Sequence, residues 1–247
     1  MTKCILFFLT LGCLIFSCDK NDPVQSGHGS LELIFKARFG TEPLVQGTHY
    51  DYFGLGTIFF DRADFYFSSM KLLNTKDTVL VKDVDYISFM LNNTTIVLAE
   101  EGLKVVYDNI PSGSYESLSF NIGLTPEQNK TKPADYQTTH PLAEGTRYWS
   151  GWSSYIFSKT EGKFNNGAEY PFTYHSGFDN AMRALHFTKN VVISNSQNTS
   201  VEIQMDYKEL FKEGNTGLDI PAAPQIHNTS STMLAFMDRF QNALSVK

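Results

Sequence analysis

Residues 31–39 read Leu-Glu-Leu-Ile-Phe-Lys-Ala-Arg-Phe, apolar at every odd position and mostly polar between. Side chains on a strand point alternately to opposite faces, so this period places Leu31, Leu33, Phe35, Ala37 and Phe39 on one buried face. A helix, with its period of 3.6, would scatter the same residues around its whole circumference. Comparable β-prone runs recur along the chain. Residues 57–74 and 78–89 flank Asn74-Thr75-Lys76-Asp77 and predict a hairpin with a loop of about four residues. Shorter runs at 94–98, 103–107 and 115–124 predict three more strands. Residues 153–160 and 170–176 predict a second hairpin across a turn at 161–167. Three strands are then expected at 182–188, 190–194 and 200–205. Much of the 14% aromatic content lies in these runs, as Phe and Tyr. Such side chains suit a pleated, half-buried surface. The expected fold class is all-β: a β-sandwich-like single domain, residues 31–247, of antiparallel strands.

Helix signals are few. Thr125-Pro126-Glu127-Gln128 is a cap residue followed by proline at the first helical position, enough for a single turn. Asp206 opens a short helix that ends near Gly214. From Ser230 to Ser245, Met233, Phe236, Met237, Phe240 and Leu244 recur at steps of three and four. That stripe predicts a C-terminal amphipathic helix that covers an end of the sandwich, with its methionines as core filling.

The chain opens on a targeting segment. Lys3 precedes the apolar run Ile5 to Phe16, which is too short to cross a bilayer as a helix. The run closes in Leu14-Ile15-Phe16-Ser17-Cys18, which resembles the bacterial lipoprotein cleavage box. Residues 1–17 are therefore expected to be a lipoprotein signal peptide, Cys18 the acylated first residue of the mature chain, and 18–30 a lipid-anchored tether that contains His28. Cys4 and Cys13 leave with the signal and Cys18 is taken by lipid, so no thiolate remains for a disulfide or a metal. A metal would have to be held by His, Met, carboxylate or a group made after translation.

Charge and motifs exclude several functions. Of the 20 Lys and Arg residues one is Lys3, and 26 Asp and Glu residues stand against them. An acidic balance of this kind has no electrostatic footprint for nucleic acid. Gly151-Trp152-Ser153-Ser154-Tyr155 lacks the closing glycine of a nucleophile elbow, and the chain carries no phosphate loop, dinucleotide fingerprint or His-Glu-x-x-His run. The expectation is a binding protein, not an enzyme. Both tryptophans, Trp149 and Trp152, fall within four positions beside Gly151 and lead into a strand-like run. They can serve as core packing, as a stacking platform or as a modified side chain. His49, His140, His175, His186 and His227 are scattered, so any imidazole site must be assembled in space from separate segments.

Several segments, in order, resemble one family. They are Phe65-Tyr66-Phe67-Ser68-Ser69-Met70-Lys71-Leu72, Ile110-Pro111-Ser112-Gly113-Ser114-Tyr115 with Ser119-Phe120-Asn121-Ile122-Gly123, the stretch from Tyr148 to Gly162, Tyr174-His175-Ser176-Gly177, Val201-Glu202-Ile203-Gln204-Met205-Asp206, and Ile226-His227. Together they resemble the MbnP-like proteins, over nearly all of the chain from about Leu31. The resemblance implies an exported, often lipid-anchored β-sandwich-like protein with a mononuclear copper site built on histidine. It also implies a tryptophan oxidised to kynurenine beside the copper by a partner dihaem peroxidase. By this likeness the metal-site residues are His175, His227, Trp149 and Trp152, without a choice between the tryptophans. Ser153-Ser154 stands where the family more often has a polar residue and glycine, and Met182-Arg183-Ala184 lacks the cysteine of some branches.

The expected function is extracytoplasmic copper handling or storage by a lipoprotein of the cell envelope, outer-membrane, periplasmic or surface-facing. The rival is a surface module that binds glycan or protein without metal, on an exposed platform of Tyr148, Trp149, Trp152 and Tyr155. Imidazoles of His175 and His227 within about 5 Å of each other favour metal, and a flat exposed aromatic row favours the module. Anchoring is tested separately. Cys18→Ala is expected to move the protein from the membrane to a soluble exported fraction, measured by fractionation, because the chain then has no lipid and no spanning helix; membrane association unchanged in that variant would remove the lipoprotein reading.

Overall fold

The structure is a computed structural model that describes residues 27–227 and 230–247. The signal peptide, Cys18 and the tether as far as residue 26 lie outside the described residues. Eleven strands carry the architecture: β1 (His28–Phe39), β2 (Thr57–Leu73), β3 (Thr78–Ser88), β4 (Leu103–Pro111), β5 (Gly113–Ile122), β6 (Ser154–Asn165), β7 (Glu169–Gly177), β8 (Arg183–Ile193), β9 (Asn198–Asp206), β10 (Gln225–His227) and β11 (Leu244–Val246). Two-residue ladder segments at Glu42–Pro43, Tyr50–Asp51 and Tyr148–Trp149 extend the sheets.

One sheet runs β11-β9-β1, with β4 also paired to β1. The other runs β8-β5-β2-β6-β7-β10, with β3 paired to β2. The alternation of β1 is realised, since Leu31, Leu33, Phe35, Ala37 and Phe39 are all buried. Those residues meet the second sheet directly: Phe35 packs edge-on against Phe67 at 5.4 Å and Phe39 tilts against Phe60 at 5.9 Å. This is a β-sandwich-like fold, as the alternation predicts. Two pairings are parallel instead of antiparallel, β1 with β9 and β7 with β10. Among the described residues no helix is long and apolar enough to cross a membrane.

Four local expectations are corrected. Residues 94–98 look β-branched enough for a strand, yet Ile96–Glu101 is a helix, because the Thr95 side chain caps the amide of Leu98 and Gly102, at φ 81°, ends it. The turn expected at 161–167 is mostly strand: β6 continues to Asn165 and the chain reverses at 166–168. Gly162 is there because a Cβ would collide with the carbonyl of Phe59 on the neighbouring β2, a close approach of backbones and not a turn. The strands expected at 182–188 and 190–194 are one strand, β8, with an irregularity between Thr188 and Val191.

The C-terminal stripe breaks in two. Ser231–Asp238, capped by Ser230, is followed by Phe240–Ala243 and then by β11, which pairs with β9. The apolar stripe is buried throughout: Phe236 contacts Tyr174 at 5.3 Å and Phe211 at 5.6 Å, and Phe240 reaches Phe65 at 6.1 Å. Phe236→Ala is expected to lower the unfolding free energy by about 3–5 kcal/mol, read from the denaturation midpoint, because three packed rings lose a common neighbour. A midpoint like that of the parent would mean that the segment is not part of the core.

Candidate metal centre

Three strands of the second sheet build the site on their outward face. The parallel register of β7 and β10 sets His175 opposite His227, and Thr173 opposite Gln225. The antiparallel register of β7 and β6 sets Thr173 opposite Glu161 and His175 opposite Lys159. On the next strand, Arg62 lies opposite Glu161 and Asp64 opposite Lys159. The residues between them, Thr160, Tyr174 and Ile226, point into the core and are buried. The period of two therefore gathers Arg62, Glu161, Lys159, Thr173, His175 and His227 on one patch.

The two imidazoles lie nearly parallel, 4.8 Å apart between ring centroids and 11° between planes. His175 Nε2 is 2.8 Å from Glu161 Oε1, while His175 Nδ1 is buried and has no hydrogen-bond partner. His227 Nε2 is 3.0 Å from the Thr173 hydroxyl. Burial, with the neighbouring His175 as a second cause, holds the proton affinity of His227 below the ordinary imidazole value, and Glu161 opposes this weakly. The Glu161 carboxyl is held below its usual range, first by the hydrogen bond from His175, against the opposing effect of burial and with the charges of Arg62 and Lys159 adding to it. Lys159 donates to the Thr146 carbonyl at 2.7 Å, and burial lowers its pKa.

The tryptophans close over this patch. Tyr148–Trp149 pairs with Tyr155 and Ser154, and the chain reverses through residues 150–153, with Trp152 N bonded to Trp149 O at 3.0 Å. The indoles stack at 4.6 Å and 11°. Trp149 stands edge-on to His227 at 5.6 Å and to His175 at 6.4 Å, and Trp152 to His227 at 6.4 Å. Gly177 allows this approach, since a Cβ there would come 3.1 Å from the Trp152 ring. All four residues expected at a metal site, His175, His227, Trp149 and Trp152, are thus brought together.

A polar network fixes the turn from beneath. Asn129, at the end of the helical turn Pro126–Asn129, accepts at Oδ1 from the Tyr155 amide and the Ser154 hydroxyl, each at 3.0 Å, and donates to Asp179 at 2.9 Å. Ser154 in turn accepts from the Phe178 amide at 3.1 Å. Ser153 and Phe178 both adopt left-handed backbone, at φ 51° and 69°. Such conformations persist where surrounding bonds over-determine them. A cleft of about 480 Å³ adjoins this network, bordered by Lys130, Ser153, Phe178 and Asn180, and none of the imidazoles lines it.

Tyr155 does not join an exposed platform. It is fully buried and donates to the Leu142 carbonyl at 2.9 Å. The remaining histidines lie elsewhere: His49 packs on Phe59, His140 stacks on Tyr136, and His186 is exposed on β8 opposite Ser119. Among the described residues no three His, Cys, Asp or Glu side chains converge as a ready-made metal cage. Glu161 was missed from the sequence because residues 161–167 read as a turn, and Arg62 and Thr173 because only the pairing register brings their strands beside the histidines. Thr173 two positions before His175 on one strand face was the signal available.

Comparison with known proteins follows the same line. The family model described as MbnP matches residues 28–232. Among solved structures, MbnP from Methylosinus trichosporium is similar with a TM-score of 0.57 at 13% identity, over 88% of this chain and 97% of that one, a likeness of fold. No curated protein matches the chain. The family match runs from the first strand into the helix that follows His227, and with it the chain belongs to the MbnP family.

Proposed function

We propose that this protein binds copper in the cell envelope, held there by lipid on Cys18, and that it handles or stores the ion and does not catalyse a reaction. The observation that carries the reading is the register pair His175 and His227 beneath the stacked tryptophans, with His175 Nδ1 buried and unpartnered. A buried polar atom without a partner costs about 1–3 kcal/mol, and a metal ion is one way to satisfy it. Neutral imidazole is a good donor to copper in either common oxidation state. The lowered proton affinity of His227 favours the neutral ring that a metal needs.

His175 and His227 would hold the ion, and the protein's own groups would orient them. A lone pair lies in the plane of its ring, so two nearly parallel rings must turn relative to each other to share one ion. His227, held by a single hydroxyl, is the freer of the two. Among the described residues no third His, Cys, Asp or Glu completes a metal cage with the two rings, since the nearby Glu161 is engaged by His175 and Arg62, which leaves room for a donor from the indole side. An intact indole has only an N–H donor. Oxidation of Trp149 or Trp152 to kynurenine, by a dihaem peroxidase as partner, would supply an aromatic amine and a carbonyl. Trp149 lies nearer to the paired rings and is the better candidate.

His175→Ala and His227→Ala are each expected to weaken copper binding at least about tenfold, some 1.4 kcal/mol, in titrations against a competing chelator. Trp149→Phe should lower affinity and Trp152→Phe chiefly stability. Both histidine variants binding like the parent would sink the assignment and leave a metal-free binding module in its place.

A further inference from the structure

We propose that Glu161 is a positioning residue for the copper site: its carboxylate accepts the Nε2 proton of His175, fixes that ring's orientation and tautomer, and leaves Nδ1 as the nitrogen with the free lone pair. The inference rests on the copper reading above and adds which atom of His175 serves it.

The hydrogen-bond inventory forces the assignment. A neutral imidazole has one N–H and one acceptor nitrogen, and an ionised carboxylate can only accept. Across the 2.8 Å contact between His175 Nε2 and Glu161 Oε1, the ring must therefore be the donor. Its lone pair is then on Nδ1, the buried atom without a partner. A carboxylate behind an imidazole also raises the basicity of the opposite nitrogen.

The neighbours keep Glu161 in place and ionised. Arg62 Nε lies 3.5 Å from Glu161 Oε2, and Arg62 also reaches Asp64 at 3.5 Å. Lys159, directly across from His175, is engaged with the Thr146 carbonyl and does not compete for the carboxylate. The partner ring is held differently. His227 meets the Thr173 hydroxyl, which can donate or accept, so that contact fixes neither tautomer nor orientation to the same degree. The site thus has one ring fixed by a charged partner and one ring free to adjust.

The experiment uses the mature chain, parent and Glu161→Gln, in two arms. Proton and nitrogen NMR of the metal-free protein reads the His175 ring. The parent is expected to show a strongly deshielded, slowly exchanging proton on Nε2, which shifts upfield or disappears in Glu161→Gln and in Glu161→Ala. Titration with Cu(I) against a chelator is expected to show affinity lowered about 10- to 100-fold in Glu161→Gln, with the denaturation midpoint close to that of the parent. A merely structural glutamate would not move the ring proton. The proposal is overturned if the parent carries the His175 proton on Nδ1, or if Glu161→Gln binds Cu(I) as tightly as the parent does. A parent that takes up no Cu(I) defeats the copper reading instead, and the hydrogen bond is then decided by the NMR arm, which needs no metal.

Discussion

The parallel pairing of β10 with β7 is the interaction on which the site depends. β10 has only three residues, Gln225–His227, and a register slip of one would send His227 inward and Ile226 out. What prevents the slip is burial: Ile226 sits in the core beside Tyr174, which itself packs against Phe172, Phe211 and Phe236. The backbone adds a further constraint, since Thr173 donates to the Pro224 carbonyl at 2.9 Å just ahead of the ladder. The terminal helical segment is thus tied to the site through Phe236 and Tyr174, although it contributes no polar group to it. Stability and site geometry share these apolar contacts.

The tryptophan turn is organised by a different device. Two non-glycine residues in left-handed backbone, Ser153 and Phe178, flank Ser154 and Gly177 in space, and each such residue costs roughly 1 kcal/mol or more. The bonds around Asn129 offset that cost, since a single side chain holds Tyr155, Ser154 and Asp179. Asn129 is placed by the capping box of Thr125 and Gln128. A cap signal readable in the sequence therefore leads, two steps later, to the position of the indoles over the histidines.

Much of the sandwich was legible because its signals are local. The period of β1, the loop at Asn74–Asp77 and the caps at Thr125, Asp206 and Ser230 each depend on a few neighbouring residues. The failures came where a residue type answers to a distant neighbour. Gly162 looked like a turn and is a strand residue pressed against β2. Residues 94–98 looked like a strand and start a helix because Thr95 caps it. The same distinction runs through the site. His175, His227 and the tryptophans were named from the family resemblance, whereas Glu161 became visible only once register made it the diagonal neighbour of His175.

The charge arrangement bears on which ions such a patch can take. Among the described residues the carboxylate beside the rings, Glu161, is already engaged by His175 and Arg62, and Asp64 is held by Ser88, Tyr86 and Arg62. The donors left over are ring nitrogens on a half-buried surface walled by indoles. Hard cations such as calcium or magnesium require several oxygen ligands, and these two carboxylates are already engaged. A soft or borderline ion with few ligands needs no carboxylate and tolerates aromatic surroundings. The proton is then the main competitor, and at His227 burial, with the neighbouring His175 as a second cause, holds the proton affinity below the ordinary imidazole value. The closeness of the rings that helps to lower the proton affinity of His227 is the same closeness that makes a shared metal ion attractive.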